Sequence, residues 1–140
     1  METIEQAIEA RASYAPRVKP TDIEAEVILE WYFTAQAGMH QADPGGSVEE
    51  KMPAAWEALG LLTFCVLVLR NGYTVTGESA CASPDNFDAR IGYRIARENA
   101  VKKVWPLLGF RLRDELSRPT LTEADALADL HGEPRPSQAV

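Results

Sequence analysis

The sequence predicts an α+β fold in one small domain, and three observations carry the prediction. Leu62 to Arg70 is rich in β-branched and aromatic residues, Asn71-Gly72 follows, and Tyr73 to Thr76 resumes the pattern; Asn-Gly between two such runs marks a β-hairpin. Ser83-Pro84, with Asp85 and Asp88 close behind, has the cap, the first-turn proline and the acidic residues of a helix start. The 140 residues, 46% hydrophobic and 25% charged, match one globular core. The expected architecture is an N-terminal helix, the Asn-Gly hairpin, a long helix packed on the hairpin, a short C-terminal helix and a flexible tail. Residues 1–20 read as an N-terminal arm, 21–118 as a single α+β domain, and 119–140 as the short helix with a flexible acidic tail.

Thr3 to Tyr14 has helical composition but weak periodicity, and Pro16 and Pro20 break any helix there. Thr21-Asp22-Ile23-Glu24 has the form of a capping box. The helix it opens carries Ile23, Val27, Trp31 and Ala35 as an apolar stripe, turns Glu24, Glu26 and Glu30 mostly to solvent, and stops at Gly38. Met39 to Met52, with Asp43-Pro44-Gly45-Gly46, has no period and reads as a long surface loop; Pro53 to Leu59 reads as a short helix.

A two-residue type I′ turn at Asn71-Gly72 pairs Arg70 with Tyr73, Val68 with Val75, Val66 with Gly77 and Phe64 with Ser79. One face then carries Phe64, Val66, Val68, Tyr73 and Val75, the other Cys65, Leu67 and Leu69 beside Thr74, Thr76 and Glu78. The first strand is apolar on both sides and needs cover on both. This register also puts Cys65 and Cys81 on opposite faces, which predicts two free thiols. The helix from Ser83 runs to about Trp105, where Pro106 cannot continue it cleanly. It has two apolar arcs, Phe87, Ile91, Ile95 and Trp105, and Tyr93, Ala96, Ala100 and Val104, the second facing the Thr21 helix or a symmetry mate in a homodimer. Leu107 to Leu116 fits a third strand or a short helix, with the balance toward helix or turn near Gly109. Thr122 to Leu130 reads as a capped helix ending at Gly132.

Composition excludes several classes. The longest apolar run, Leu59 to Leu69, falls well short of the roughly 20 residues of a membrane span. The acidic start, Met1-Glu2-Thr3-Ile4-Glu5, is unlike a signal peptide and points to the cytoplasm. Neither cysteine lies in a metal-binding spacing, and His40 and His131 fall in loop-like segments, so no metal or other cofactor is expected. The net charge of −7 divides as 4 − 11 = −7 over Met1 to Leu69, 9 − 6 = +3 over Arg70 to Arg118 and 1 − 4 = −3 beyond. That polarity argues against general nucleic-acid affinity and leaves room for a local anion site.

The block Leu61-Leu62-Thr63-Phe64-Cys65-Val66-Leu67-Val68-Leu69-Arg70-Asn71-Gly72-Tyr73-Thr74-Val75-Thr76-Gly77-Glu78-Ser79-Ala80-Cys81, with Ser83-Pro84-Asp85-Asn86-Phe87-Asp88, Ile91-Gly92, Glu98-Asn99-Ala100 and Trp105-Pro106-Leu107, resembles the phage gene product 49 family of small tailed-phage proteins. The resemblance runs from about Leu59 to Leu116, with a weaker echo at Pro20 to Ala35. It implies a phage or prophage origin and a small accessory protein, and it brings no reaction or catalytic residues.

Among chemistry-bearing residues, Arg90, Arg94 and Arg97 form one basic stripe at helical spacing, able to fork onto phosphate or carboxylate oxygens, against the plainer reading of a solvated helix face. Glu98 between Arg94 and Lys102 fits an ion-pair ladder better than a catalytic acid. Glu78 beside Thr76 reads as a ligand or partner contact. Gly77-Glu78-Ser79-Ala80-Cys81 lacks the last glycine and the histidine of a serine-hydrolase elbow, and the Asn71-Gly72 turn is no phosphate loop. The expected function is a non-enzymatic, homodimeric binding module in the host cytoplasm that docks a host defence protein or sequesters an anionic small molecule at Arg90, Arg94 and Arg97. The alternatives are a homo-oligomeric virion or assembly component, or an enzyme using Glu78 or Glu98 in a closed pocket on a nucleotide-like substrate.

Overall fold

A computed structural model of the chain describes residues 1–11 and 16–138. Helices α1 (Ile4–Arg11) and α2 (Pro20–Glu26) lead into strand β1 (Val27–Thr34). Short helices α3 (Ala35–Ala42), α4 (Ser47–Lys51) and α5 (Pro53–Leu59) follow, then strands β2 (Leu62–Leu69) and β3 (Thr74–Ala80), the long helix α6 (Ala89–Ser117) and α7 (Glu123–His131). The sheet is antiparallel in the order β1-β2-β3. The α+β class, the hairpin, the long helix on it and the capped C-terminal helix are as expected.

The largest departure is at residues 27–34, expected as helix and observed as a strand. The row Val27, Trp31 and Ala35 suits a helix by spacing, but Val27-Ile28-Leu29-Glu30-Trp31-Tyr32-Phe33-Thr34 is β-branched and aromatic and alternates in character. Adding a strand to the hairpin satisfies its backbone along β2, and that tertiary gain overrides the local helical row. The helix before it is short, and its start lies at Lys19, whose N–H donates to the Asp22 carboxylate at 2.8 Å, rather than at Thr21. The span Met39 to Met52, expected as a loop, is largely helical. Thr34 caps α3 by accepting from the Ala37 N–H, and the Asp43 carboxylate accepts from Ser47 and Val48 to start α4.

The hairpin turn has three residues instead of two. Gly72 N–H donates to the Leu69 carbonyl and Leu69 N–H to the Tyr73 carbonyl, with Gly72 at φ 86° and Asn71 outside the left-handed region. This is a type I turn closed by a left-handed glycine, the usual three-residue hairpin. The register moves by one, to Val68 with Thr74, Leu67 with Val75, Val66 with Thr76 and Cys65 with Gly77. A one-residue slip exchanges faces, so Val75 joins Cys65, Leu67 and Leu69, while Thr74, Thr76 and Glu78 join Phe64, Val66 and Val68. Both cysteines are free as expected, for a different reason: Cys65 lies opposite Gly77 and Cys81 opposite Leu61, four residues apart along the hairpin.

Helix α6 starts at Asp88, whose carboxylate accepts from the N–H groups of Arg90 and Ile91; Pro84–Asn86 is only a 3₁₀ turn. It continues through Pro106 to Ser117 and absorbs the ambiguous Leu107 to Leu116 segment. Pro106 and Lys102, whose carbonyl loses its partner, are both exposed, so the lost bond falls on the solvent side of the helix, where its cost is smallest. Gly92, Ala96, Ala100, Val104 and Leu108 form its buried row, packed chiefly on β2 and β3 with a smaller contact to α2, all within the chain. Close approach is built in at Gly77, where a Cβ would stand 2.1 Å from the Ala96 carbonyl oxygen and 2.3 Å from the Ala100 nitrogen. The arc of Ile91 and Ile95 stays exposed, so the helix is covered on one side. Thr122 and Gly132 cap α7 as expected. In the segment expected to be a flexible tail, Arg135 pairs with Asp129 and the Ser137 N–H donates to Asp125.

Candidate functional site

Helix α6 covers one face of the sheet and leaves the other to solvent. The β1–β2 register sets Leu29 opposite Val68, Trp31 opposite Val66 and Phe33 opposite Phe64, and alternation points all six away from α6. Thr74, Thr76 and Glu78 continue that face onto β3. Trp31 is 67% exposed, Leu29 47% and Phe33 37%. The Phe33 and Phe64 rings stack with centroids 5.6 Å apart, and Gly38 of α3 lies against the Phe33 ring, closing one end of the face. What remains is a flat apolar strip with Trp31 at its centre and hydroxyls and one carboxylate along its β3 margin. Such a contiguous apolar surface is the form of a protein-docking site.

The predicted arginine stripe does not act as a unit. Arg94, 83% exposed, pairs at 3.6 Å with Glu98, so the upper half of the expected ladder is present; Arg90 lies 3.8 Å from Asp88. Arg97 turns to the sheet edge. Its guanidinium donates to Glu24 at 2.7 Å and to Glu30, and both carboxylates, Glu24 first, hold its proton more tightly than usual. Thr76 and Glu78 lie together on the open face, the hydroxyl donating to the carboxylate at 3.3 Å with the Lys103 ammonium 4.0 Å away. The structure thus unites Thr76 and Glu78 with the apolar strip and separates both from the arginines. The Glu78 and Glu98 side chains are 45% and 61% exposed, which is not the closed pocket an acid or base of the enzyme reading requires.

Two groups of residues escape the sequence reading. Leu29, Trp31 and Phe33 are hidden by the helical reading of 27–34, although their alternation with Glu30, Tyr32 and Thr34 is the strand signal. Glu26, expected at the surface, is 1% exposed. Arg111 donates to its two oxygens at 2.9 and 2.8 Å, and Arg70 donates to one of them at 3.1 and 3.3 Å. These bonds, with Arg111 foremost, overcome the cost of burial and pull the carboxyl down to about 2. No sequence spacing announces this, because the partners lie 44 and 85 residues away. A cleft of about 200 Å³ opens beside the cluster, lined also by Arg17, Asp22 and Glu115. Its arginines and acids are matched in number, so it has no clear preference for an anion.

No helix among the described residues is long and apolar enough to cross a membrane. No curated protein and no solved structure matches the chain. The model of the phage protein (N4 Gp49/phage Sf6 gene 66) family matches residues 18–116, from the approach to α2 to the end of α6, and so spans the sheet, its open face and the helix beneath it. The chain is a small phage-encoded protein and belongs to the N4 Gp49/phage Sf6 gene 66 family.

Proposed function

We propose that this phage protein is a non-enzymatic binding module that antagonises a host protein by docking it on the open face of the sheet. The observation that carries the reading is the solvent-facing row of Leu29, Trp31 and Phe33 beside Phe64, Val66 and Val68. An uncovered strip of this kind, centred on a tryptophan and edged by Thr76 and Glu78, has the apolar centre and polar margin of a recognition surface. Sequestration of an anionic small molecule has less support, since Arg97 is committed to Glu24 and Glu30 and leaves Arg90 and Arg94 without a third guanidinium.

The test is affinity purification of the tagged full chain from infected cells, beside Trp31→Ser and Arg94→Glu variants. A stoichiometric host protein that is lost with Trp31→Ser and retained with Arg94→Glu is the expected result. Equal capture by a folded Trp31→Ser variant would remove the open face from the reading. A small mass carried by the native protein and shed on refolding would favour sequestration, and co-sedimentation with particles would favour an assembly role.

A further inference from the structure

The outer edge of β1 is a second feature, distinct from the face beside it. Leu69 and Leu61 bond toward β3, while Arg70 N–H donates toward β1, to the Glu26 carbonyl. By alternation, Phe64, Val66 and Val68 bond β1 through their partners Phe33, Trp31 and Leu29. The N–H and C=O groups of Glu30 and Tyr32 therefore point out of the sheet, and among the described residues no backbone group bonds to them. The opposite edge is different: β3 is polar, and the Asn99 side chain donates to the Glu78 carbonyl at 2.8 Å. Strand β1 has neither lysine nor proline, two usual guards of an open edge; its one charge, Glu30, is neutralised by Arg97, and its bulge at Ile28 lies near its start.

We propose that this edge pairs with the same edge of a second copy of the chain, antiparallel about a two-fold axis at Trp31, and this holds whatever the open face docks. Self-pairing is favoured by the pattern of the strand. An axis at Glu30 would set two carboxylates against each other. An axis at Trp31 sets Glu30 opposite Tyr32 of the second copy, so the outward groups of both residues are satisfied, and brings Leu29 opposite Phe33 and Trp31 opposite Trp31, as cross-strand apolar and aromatic pairs. Two three-stranded sheets become one of six, with both α6 helices on one side and both tryptophan strips continuous on the other. One strand edge pairing over a few residues is a smaller contact than the roughly 800 Å² per partner of a standard interface, so the dimer is reversible.

Sedimentation equilibrium of the full chain over a wide concentration range reads the association directly. The expected result is a monomer–dimer equilibrium, unchanged in Glu30→Ala, which loses the Arg97 contact but keeps the N–H, and weakened at least tenfold in Glu30→Pro, which loses the N–H on the free side only. A monomer throughout, or a Glu30→Pro variant that dimerises like the parent, overturns the proposal. Because Glu30→Pro can disturb folding, Trp31→Cys provides a separate reading: opposed cysteines at the axis, with Cα atoms about 4.5 Å apart, form a covalent dimer on oxidation. Thr76→Cys, on the far strand, does not; cross-linking by both variants equally, or by neither, overturns the proposal. Mass rather than partner capture is the readout, so failure here is separate from failure of the docking face.

Discussion

The two faces of the sheet divide the labour of the molecule. The face under α6 is made of Thr63, Cys65, Leu67, Leu69, Val75 and Gly77, all buried, meeting a row of glycine, alanine, valine and leucine on the helix. The open face carries the larger residues, Trp31, Phe33, Phe64 and Leu29, which gain less burial within the chain. Small residues allow a helix to lie close to a sheet, and close packing gives dispersion contacts and excludes water. Large apolar groups left in water add little to stability, so their role is sought outside the fold. The difference puts the stabilising contacts on one side of the three strands and leaves the other side free for the docking proposed above.

Breaking the covered side should have the largest effect. Gly77→Ala drives a Cβ into the backbone of α6 at Ala96 and Ala100, and a loss of about 4 kcal/mol or more is expected by urea denaturation. A midpoint like that of the parent would mean that the helix is not seated there. Glu26→Gln is next, with a loss of about 3 kcal/mol, because Arg70 and Arg111 lose the carboxylate that pairs them. Its pH dependence has a definite sign. The folded carboxyl lies at about 2 against an ordinary 4.5, so its stabilisation is complete above pH 4.5 and is lost as pH falls toward 2. Over that window stability should fall more steeply in the parent than in Glu26→Gln.

Smaller effects sharpen the other half of the comparison. Arg97→Ala should cost about 1 kcal/mol, since a largely covered guanidinium held by two carboxylates is more than an ordinary surface pair. Trp31→Ser should change stability by less than about 1 kcal/mol in the same denaturation, while removing partner capture. Arg94→Glu should be close to neutral, within about 0.5 kcal/mol, since its pair with Glu98 is solvated. A Trp31→Ser cost equal to that of Glu26→Gln would make the open face part of the core and end the division drawn between the faces.

Much of the fold is legible in the sequence where a signal is local. Asn71-Gly72 marks the hairpin, Thr122 and Gly132 bracket α7, and Pro53 opens α5 as expected. Local signals mislead where two structures share one pattern. Val27 and Trp31 recur at helical spacing with Ala35 and also belong to strand β1, and Asn-Gly serves both a two-residue and a three-residue hairpin. Of the expected site residues, Thr76 and Glu78 fall on the candidate surface, while Arg90, Arg94 and Arg97 do not converge because Arg97 finds acids on α2 and β1.

What the sequence by itself determined is the α+β class, the hairpin, the long helix, the caps of α7 and membership of the phage family, because each rests on neighbours along the chain or on a contiguous match. Tertiary structure alone decided that 27–34 is a strand, which face of the hairpin is covered, and that Glu26 is buried between two arginines. Each of these depends on groups that are remote in sequence. A backbone edge must find a partner, a register slip of one residue exchanges two faces, and a buried charge is stable only beside opposite charges that the fold brings to it.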